Sequence, residues 1–163
     1  LMGKAVTPLN QPNKTNNFYP ADDKWEMIMF PFLASTAIEE GTAVSPQIVT
    51  NNVTGNLTKM GVENVTGSDF IGILAEAIVS TDTDYATAGK LKGVWVPKAM
   101  TATAYFTVGA GTFTAADVFK TVEIHSDSKS LAVDTLGKGA RIMEFISSTR
   151  GKCMFSLPQT EVA

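Results

Sequence analysis

The sequence predicts a mainly β protein, built as an antiparallel β-sandwich or a small barrel with little helix. First, β-branched residues occur in every segment, with 20 threonines among the 163 residues. Such residues fit a pleated sheet and lose rotamer freedom in a helix. Second, short apolar segments recur at intervals of roughly 8–12 residues with turn signals between them. Third, only the stretch TAADVF has helix signals, with Thr114 as a cap and Asp117 at the third helical position.

The first predicted element is an extended N-terminal arm at residues 1–24. This stretch is rich in Asn, Pro, Lys and Thr. Its three prolines remove backbone donors and favour extended neighbours: Pro8, Pro12 and Pro20. The arm also carries two aromatic residues with no obvious local partner, Phe18 and Tyr19. Two interpretations are open, an arm that docks on a neighbouring subunit and a disordered terminus.

Residues 25–163 are predicted to form a single β domain. Its strands are indicated by apolar or alternating runs between turn signals. The polar stretches STDTDYATAGKLK and HSDSKS are predicted to be loops, and residues 47–69 to be short strands and tight turns. The clearest strands are WEMIMFPFLA, GTAV, FIGILAEAIV, GVWVPKAM, TATAYFTV, LAVDTL, RIMEFISS and KCMFSL.

Two similar segments suggest that this domain contains a duplicated β-unit. The strand FIGILAEAI resembles the later strand RIMEFISS, and each follows a Gly-Thr pair. The pairs begin at Gly41 and Gly111, which are 70 positions apart. The predicted units cover about 36–98 and 105–157. The alternative is a coincidence among strands that are rich in Thr and Gly.

Charge and hydropathy argue against two classes of partner. The net charge is −3, and the 13 basic residues form no stripe that could neutralise a phosphate backbone. The longest uncharged apolar run, MIMFPFLASTAI, contains Pro31 and is too short to span a bilayer. We therefore expect neither nucleic acid nor a membrane as a partner.

The sequence contains no convincing catalytic or metal motif. The one cysteine, Cys153, lies in a strand-like stretch, and the one histidine, His125, lies in a polar loop. A Ser–His–Asp site would need His125, and no GxSxG motif is present. Asp82 and Asp84 resemble the start of a calcium loop, but the required later glycine and acid are missing. We therefore expect no enzyme activity, cofactor or metal.

Four stretches of the sequence share a pattern of Gly-Thr entries, apolar strands and Thr/Gly loops: AIEEGTAVSP, FIGILAEAIVSTDTDYATAGKLKGVWVP, GTFTAADV and LAVDTLGKGARIMEFISS. Together they resemble the phage capsid decoration proteins, the small β-rich head proteins of the lambda type and their β-tulip relatives. The resemblance covers about residues 36–150 and leaves out the arm and the strand WEMIMFPFLA. It implies a virion protein on the outer surface of an icosahedral capsid. Such a protein is commonly a homotrimer that binds the major capsid protein and braces neighbouring capsomers.

This first hypothesis assigns interface roles to four aromatic residues, because aromatic side chains dominate interface hot spots. They are Phe18, Tyr19, Trp25 and Trp95. For the two tryptophans, packing in the core is the alternative.

The second hypothesis is a carbohydrate- or receptor-binding β-module of a viral fibre or adhesin. Trp95 or Tyr85 would then be exposed and stack on a sugar ring. Asp82 and Asp84 would hydrogen-bond the hydroxyl groups of the sugar.

Overall fold

The computed structural model describes residues 17–46, 57–59 and 70–156. Apart from one short 3-10 helix at Ala115–Asp117, the regular structure of this part of the chain is β. The predicted mainly β class, with two sheets packed together, is therefore confirmed. The strands are β1 (Tyr19–Pro20), β2 (Trp25–Phe32), β3 (Ala43–Pro46), β4 (Leu57–Lys59), β5 (Gly72–Leu74), β6 (Lys90–Pro97), β7 (Ala104–Ala110), β8 (Thr121–Ile124), β9 (Leu131–Leu136), β10 (Ala140–Ser147) and β11 (Arg150–Phe155).

The first sheet closes into a five-stranded barrel in the order β2-β4-β3-β5-β6. We call it the first ring. Its longest ladder is antiparallel and joins β2 to β6 from Trp25–Pro97 to Phe32–Lys90. The pairing of β2 with β4 is parallel, through Phe32 and Leu57, and the other pairs are antiparallel.

The second sheet has the order β1-β7-β11-β10-β8-β9. A parallel pairing between β9 and β7, through Val108–Leu131 and Ala110–Ala132, closes five of these strands into a second ring. The remaining strand, β1, pairs with the first residues of β7, Ala104 and Tyr105.

The two rings have the same topology. We count the five strands of each ring in chain order, β2 to β6 and β7 to β11. In both rings the first strand pairs in parallel with the third strand and antiparallel with the fifth. The second strand pairs with the third and the fourth. The fourth and fifth strands also pair in both rings. The strands FIGILAEAI and RIMEFISS supply the fourth strand of their respective rings, β5 and β10.

The two Gly-Thr pairs also occupy equivalent positions. Gly41 and Gly111 both lie between the first and second strands of their rings, and both have positive φ, +86° and +93°. The rings run from 25 to 97 and from 104 to 155, so the first one starts earlier than the predicted unit. WEMIMFPF, which was left out of that unit, forms its first strand. A common origin of the two rings stays a prediction.

The core consists of one cluster inside the first ring and a larger cluster that includes the second ring and its contact with the first. Alternation along β5 shows this division, because neighbouring side chains on a strand face opposite sides. Leu74 belongs to the cluster inside the first ring, and Ile73 belongs to the larger shared cluster. Phe70 stacks on Phe155 of the second ring, with 4.1 Å between ring centroids. The rings therefore pack as one body.

The described part of the predicted arm belongs to this fold. Phe18 is fully buried and makes an edge contact of 4.9 Å with Phe155. Tyr19 pairs with Tyr105 of β7. Phe18 and Tyr19 therefore pack within the described fold, and the boundary between arm and domain at residue 24 stays a prediction. Residues 1–16 lie outside the described residues.

The predicted helical turn is confirmed as a 3-10 helix with a capping box. Thr114 Oγ1 accepts from the backbone N–H of Ala116, and Thr114 N–H donates to Asp117 Oδ2 over 2.8 Å. Lys120 Nζ donates to Asp117 Oδ1 over 2.7 Å. This turn leads the chain from β7 into β8.

Candidate binding surface

The four aromatic residues predicted at an interface lie inside the chain's own fold. Their exposed fractions are 0% for Phe18, 4% for Tyr19, 5% for Trp25 and 8% for Trp95. Phe18 and the two tryptophans belong to the shared core cluster. The fold of one chain therefore accounts for their burial, and an interface role for them stays a prediction.

Two of these residues also have polar groups that the fold accommodates. Trp25 Nε1 donates to the carbonyl oxygen of Thr103 over 2.9 Å. Burial raises the pKa of Tyr19 to about 12, with a smaller contribution from the nearby charge of Glu40. Both side chains are buried in the described fold.

Three exposed apolar side chains lie on one outer face of the first ring, and Leu136 at the end of β9 in the second ring is exposed as well. Met27, Met29 and Leu91 are 46%, 50% and 57% exposed. Met27 lies directly opposite Trp95 in the β2–β6 ladder, so the two share the outer face. The second ring covers Trp95 and leaves Met27 open. We call Met27, Met29 and Leu91 the outer stripe.

A glycine lies beneath this stripe. Gly93 lies opposite Met29 in the ladder. A Cβ at position 93 would clash with Met27 Sδ, so the Met27 side chain lies directly across the glycine backbone. The Met27 thioether therefore covers bare backbone here, with the Glu76 carboxylate beside it. Methionines are common on surfaces that bind partners, because their side chains are flexible and polarisable.

Phe119, an exposed apolar residue outside the outer stripe, is held in a strained backbone conformation. Phe119 has φ +77° and is 63% exposed. Its N–H donates to the carbonyl oxygen of Ile142 over 2.7 Å, directly after the capped turn. A bulky residue at positive φ is a true outlier, and such strain occurs more often at functional sites.

Two lysines, Lys90 and Lys92, lie in strand β6, although the sequence predicted their stretch to be part of a loop. The strand starts at Lys90, and Lys90 and Lys92 are 5% and 9% exposed. Lys90 Nζ donates to the carbonyl oxygens of Leu33 at 2.5 Å and Tyr85 at 3.1 Å. Burial lowers the pKa of Lys90, and the negative charge of Asp84 opposes this effect. The lysines thus anchor the loop before β6 onto the first ring.

Lys90 and Lys92 also contact the residues of the predicted sugar site. Lys92 Nζ lies 3.2 Å from Asp84 Oδ1 and 4.0 Å from Asp82 Oδ2. The ammonium of Lys90 lies 5.8 Å from the ring centroid of Tyr85. Trp95 is buried against the second ring and offers no stacking platform.

The two residues considered for catalysis lie on different elements of the second ring, Cys153 on β11 and His125 directly after β8. Cys153 is fully buried in the shared core, and this burial raises the pKa of its thiol. His125 lies at the start of the 125–130 turn, where its backbone N–H donates to Ser130 O over 2.9 Å. Within residues 17–46, 57–59 and 70–156, no three His, Cys, Asp or Glu side chains are placed to hold a metal ion. No helix in that part of the chain is long and apolar enough to cross a membrane.

Comparison of the chain with protein-family models gives no match, and comparison with curated proteins gives none either.

Sequence reasoning missed the outer stripe. WEMIMFPF was correctly identified as a strand, but only the closed ring and the position of Trp95 show which alternate residues face outward. The signal was the spacing of Met27, Met29 and Pro31 at every second position.

Proposed function

We propose that the chain is a structural protein of a virion that binds the outer surface of an icosahedral phage capsid and stabilises contacts between capsomers. The observation that carries this proposal is the outer stripe, on a body of two packed rings in which the four aromatic residues first assigned to an interface are buried. A preformed apolar sheet face suits a protein that binds another folded surface without changing shape.

The binding free energy that the outer stripe can contribute is small, as expected for a weak contact that is repeated many times on one shell. Complete burial of a Met or Leu side chain stabilises by about 1.5–3 kcal/mol, so three half-exposed side chains supply about 3 kcal/mol in all. One such contact is weak, but several contacts made by one oligomer on one shell reinforce each other through effective concentration.

Cosedimentation with capsid shells of the encoding virus tests this proposal. We expect the wild-type protein to bind and the triple variant Met27→Ser, Met29→Ser, Leu91→Ser to bind at least about tenfold more weakly, since 1.4 kcal/mol corresponds to a factor of ten. Met100→Ser is the matched control, because Met100 is 73% exposed and lies outside the stripe. A wild-type protein that stays in the supernatant, or a triple variant that binds as tightly, would contradict the proposal.

The carbohydrate-binding alternative has less support, because Trp95 is buried and both aspartates are close to Lys92. It predicts glycan binding that is lost in Tyr85→Ala and retained in the stripe variant. A glycan array with both proteins separates the two functions.

A further inference from the structure

The outer stripe carries two exposed thioethers side by side. Met27 and Met29 are both about half exposed, and they share one face of β2 because they are two residues apart. Peroxides oxidise a methionine thioether to a sulfoxide, which is polar and is reduced again by methionine sulfoxide reductases. An oxidant in solution therefore has access to two of the three side chains that form the stripe.

The surroundings of Met27 suit a thioether and not a sulfoxide. Its Sδ lies across the backbone of Gly93. Both backbone groups of this glycine are already engaged, since its N–H donates to Glu76 Oε2 over 3.0 Å and its oxygen accepts from Ala75 N over 2.9 Å. A sulfoxide oxygen is a hydrogen-bond acceptor, and at this place its neighbour is the Glu76 carboxylate, which is also an acceptor. The oxygen of an oxidised Met27 would therefore turn away from the sheet, toward water or toward a bound partner.

The other sulfur atoms of the described chain are less accessible or lie elsewhere. Cys153 is fully buried and its burial raises the pKa of the thiol, whereas oxidation of cysteine proceeds through an accessible thiolate. Met143 and Met154, on the second ring, are half-buried. Met100 is exposed but lies outside the stripe. It therefore reports oxidation that leaves the stripe unchanged.

We propose that Met27 and Met29 make the outer stripe a redox-sensitive docking surface, which a peroxide converts to a polar form that no longer holds the capsid. Each methionine sulfur takes one oxygen atom from hydrogen peroxide and gives up two electrons, and the broken O–O bond leaves one molecule of water. A polar oxygen that is buried against a partner without a hydrogen bond opposes binding. The inference rests on the proposed function for the identity of the partner, whereas the change of the surface itself does not depend on it.

Peroxide treatment of the purified protein, followed by cosedimentation with capsid shells, tests the inference. We expect mass spectrometry to locate sulfoxides at Met27 and Met29. We expect the treated protein to bind at least about tenfold more weakly, a change that corresponds to about 1.4 kcal/mol. Methionine sulfoxide reductases should restore the binding.

The double variant Met27→Leu, Met29→Leu is the matched control, because leucine keeps an apolar side chain of similar volume and has no sulfur to oxidise. It should bind capsids as the wild-type protein does, before and after peroxide. Met100→Leu should lose binding after peroxide as the wild-type protein does. The inference is overturned if the double variant loses as much affinity as the wild type. It is also overturned if neither methionine is oxidised, or if both are oxidised and the affinity is unchanged.

Retention on a hydrophobic-interaction column separates this inference from the proposed function. Peroxide should shorten the retention of the wild-type protein more than that of the double leucine variant, and equal shortening would overturn the inference. If the untreated protein binds no capsid but its retention responds as expected, only the proposed function fails. If capsid binding survives oxidation of both methionines, only this inference fails.

Discussion

Phe70 of the first ring and Phe155 of the second ring stack with 4.1 Å between centroids and 11° between their planes. Phe18 approaches the same Phe155 ring edge-on at 4.9 Å. Phe155 therefore contacts aromatic residues from both the first ring and the segment that precedes it. These contacts, together with the hydrogen bond from Ala43 N to Ser128 O at 2.8 Å, predict that the rings unfold together.

Phe155→Ala should lower the free energy of unfolding by about 3–5 kcal/mol, because it removes a buried ring and leaves a cavity. Urea denaturation, followed by fluorescence and circular dichroism, should show one transition by both signals. Ile146→Ala, at a 43% exposed position, is the control and should have a much smaller effect. Two separate transitions in the wild-type protein would show that the rings are independent.

Gly41→Ala and Gly111→Ala should both destabilise the protein, and by more than Gly89→Ala. All three glycines have positive φ, which costs an alanine about 1–2 kcal/mol. A Cβ at Gly41 would also lie 2.6 Å from Asn17 Cβ, and a Cβ at Gly111 would lie 2.6 Å from Asp134 Cγ. At Gly89 no atom lies within 4 Å of the added Cβ. Equal losses at all three positions, measured by urea denaturation, would contradict the close packing at these turns.

Asp117→Asn should destabilise the protein at neutral pH by about 0.5–2 kcal/mol, as expected for loss of a cap. The hydrogen bond from Lys120, followed by that from the backbone of Thr114, lowers the pKa of Asp117 below its ordinary value of 3.8. The carboxylate therefore stabilises the fold above pH 3.8, and this contribution is lost as pH falls through the lower folded-state pKa.

The stability difference between wild type and Asp117→Asn should accordingly shrink on acidification below pH 3.8. Chemical denaturation from pH 7 to pH 2 measures it. Asp23→Asn, at an exposed position, serves as the control. A difference that is constant across this range would exclude the charged cap.

Phe119→Asn should stabilise the isolated protein by about 1 kcal/mol, because Asn tolerates positive φ far better than Phe. Thermal melting checks this, with Phe119→Leu as a control that keeps the strain. If Phe119→Asn proves destabilising, the exposed ring contributes more to packing than its 63% exposure indicates.

Local chemistry explains why much of the fold was predictable. Thr114 and Asp117 are three residues apart and determine the capped turn through their own hydrogen bonds. The alternation in TATAYFTV and the apolar run in WEMIMFPF identify strands without any tertiary information. The similar stretches FIGILAEAI and RIMEFISS likewise supply the fourth strand of their respective rings.

The remaining features depend on long-range contacts. Lys90 and Lys92 resemble loop residues until Leu33 and Tyr85 supply carbonyl partners and Asp84 supplies a carboxylate. Phe18 is buried in a core cluster that includes Phe155, at the far end of the described chain. The alternation in β2 indicates which residues share a face, but only the packing of the second ring decides which of them are covered and which form the outer stripe.

The most direct test of the proposed function is the temperature at which capsid shells disassemble, measured with and without the purified protein. We predict that saturating wild-type protein raises this temperature, that the outer-stripe triple variant does not, and that Met100→Ser acts like wild type. An unchanged disassembly temperature at saturation would contradict a role in stabilising contacts between capsomers.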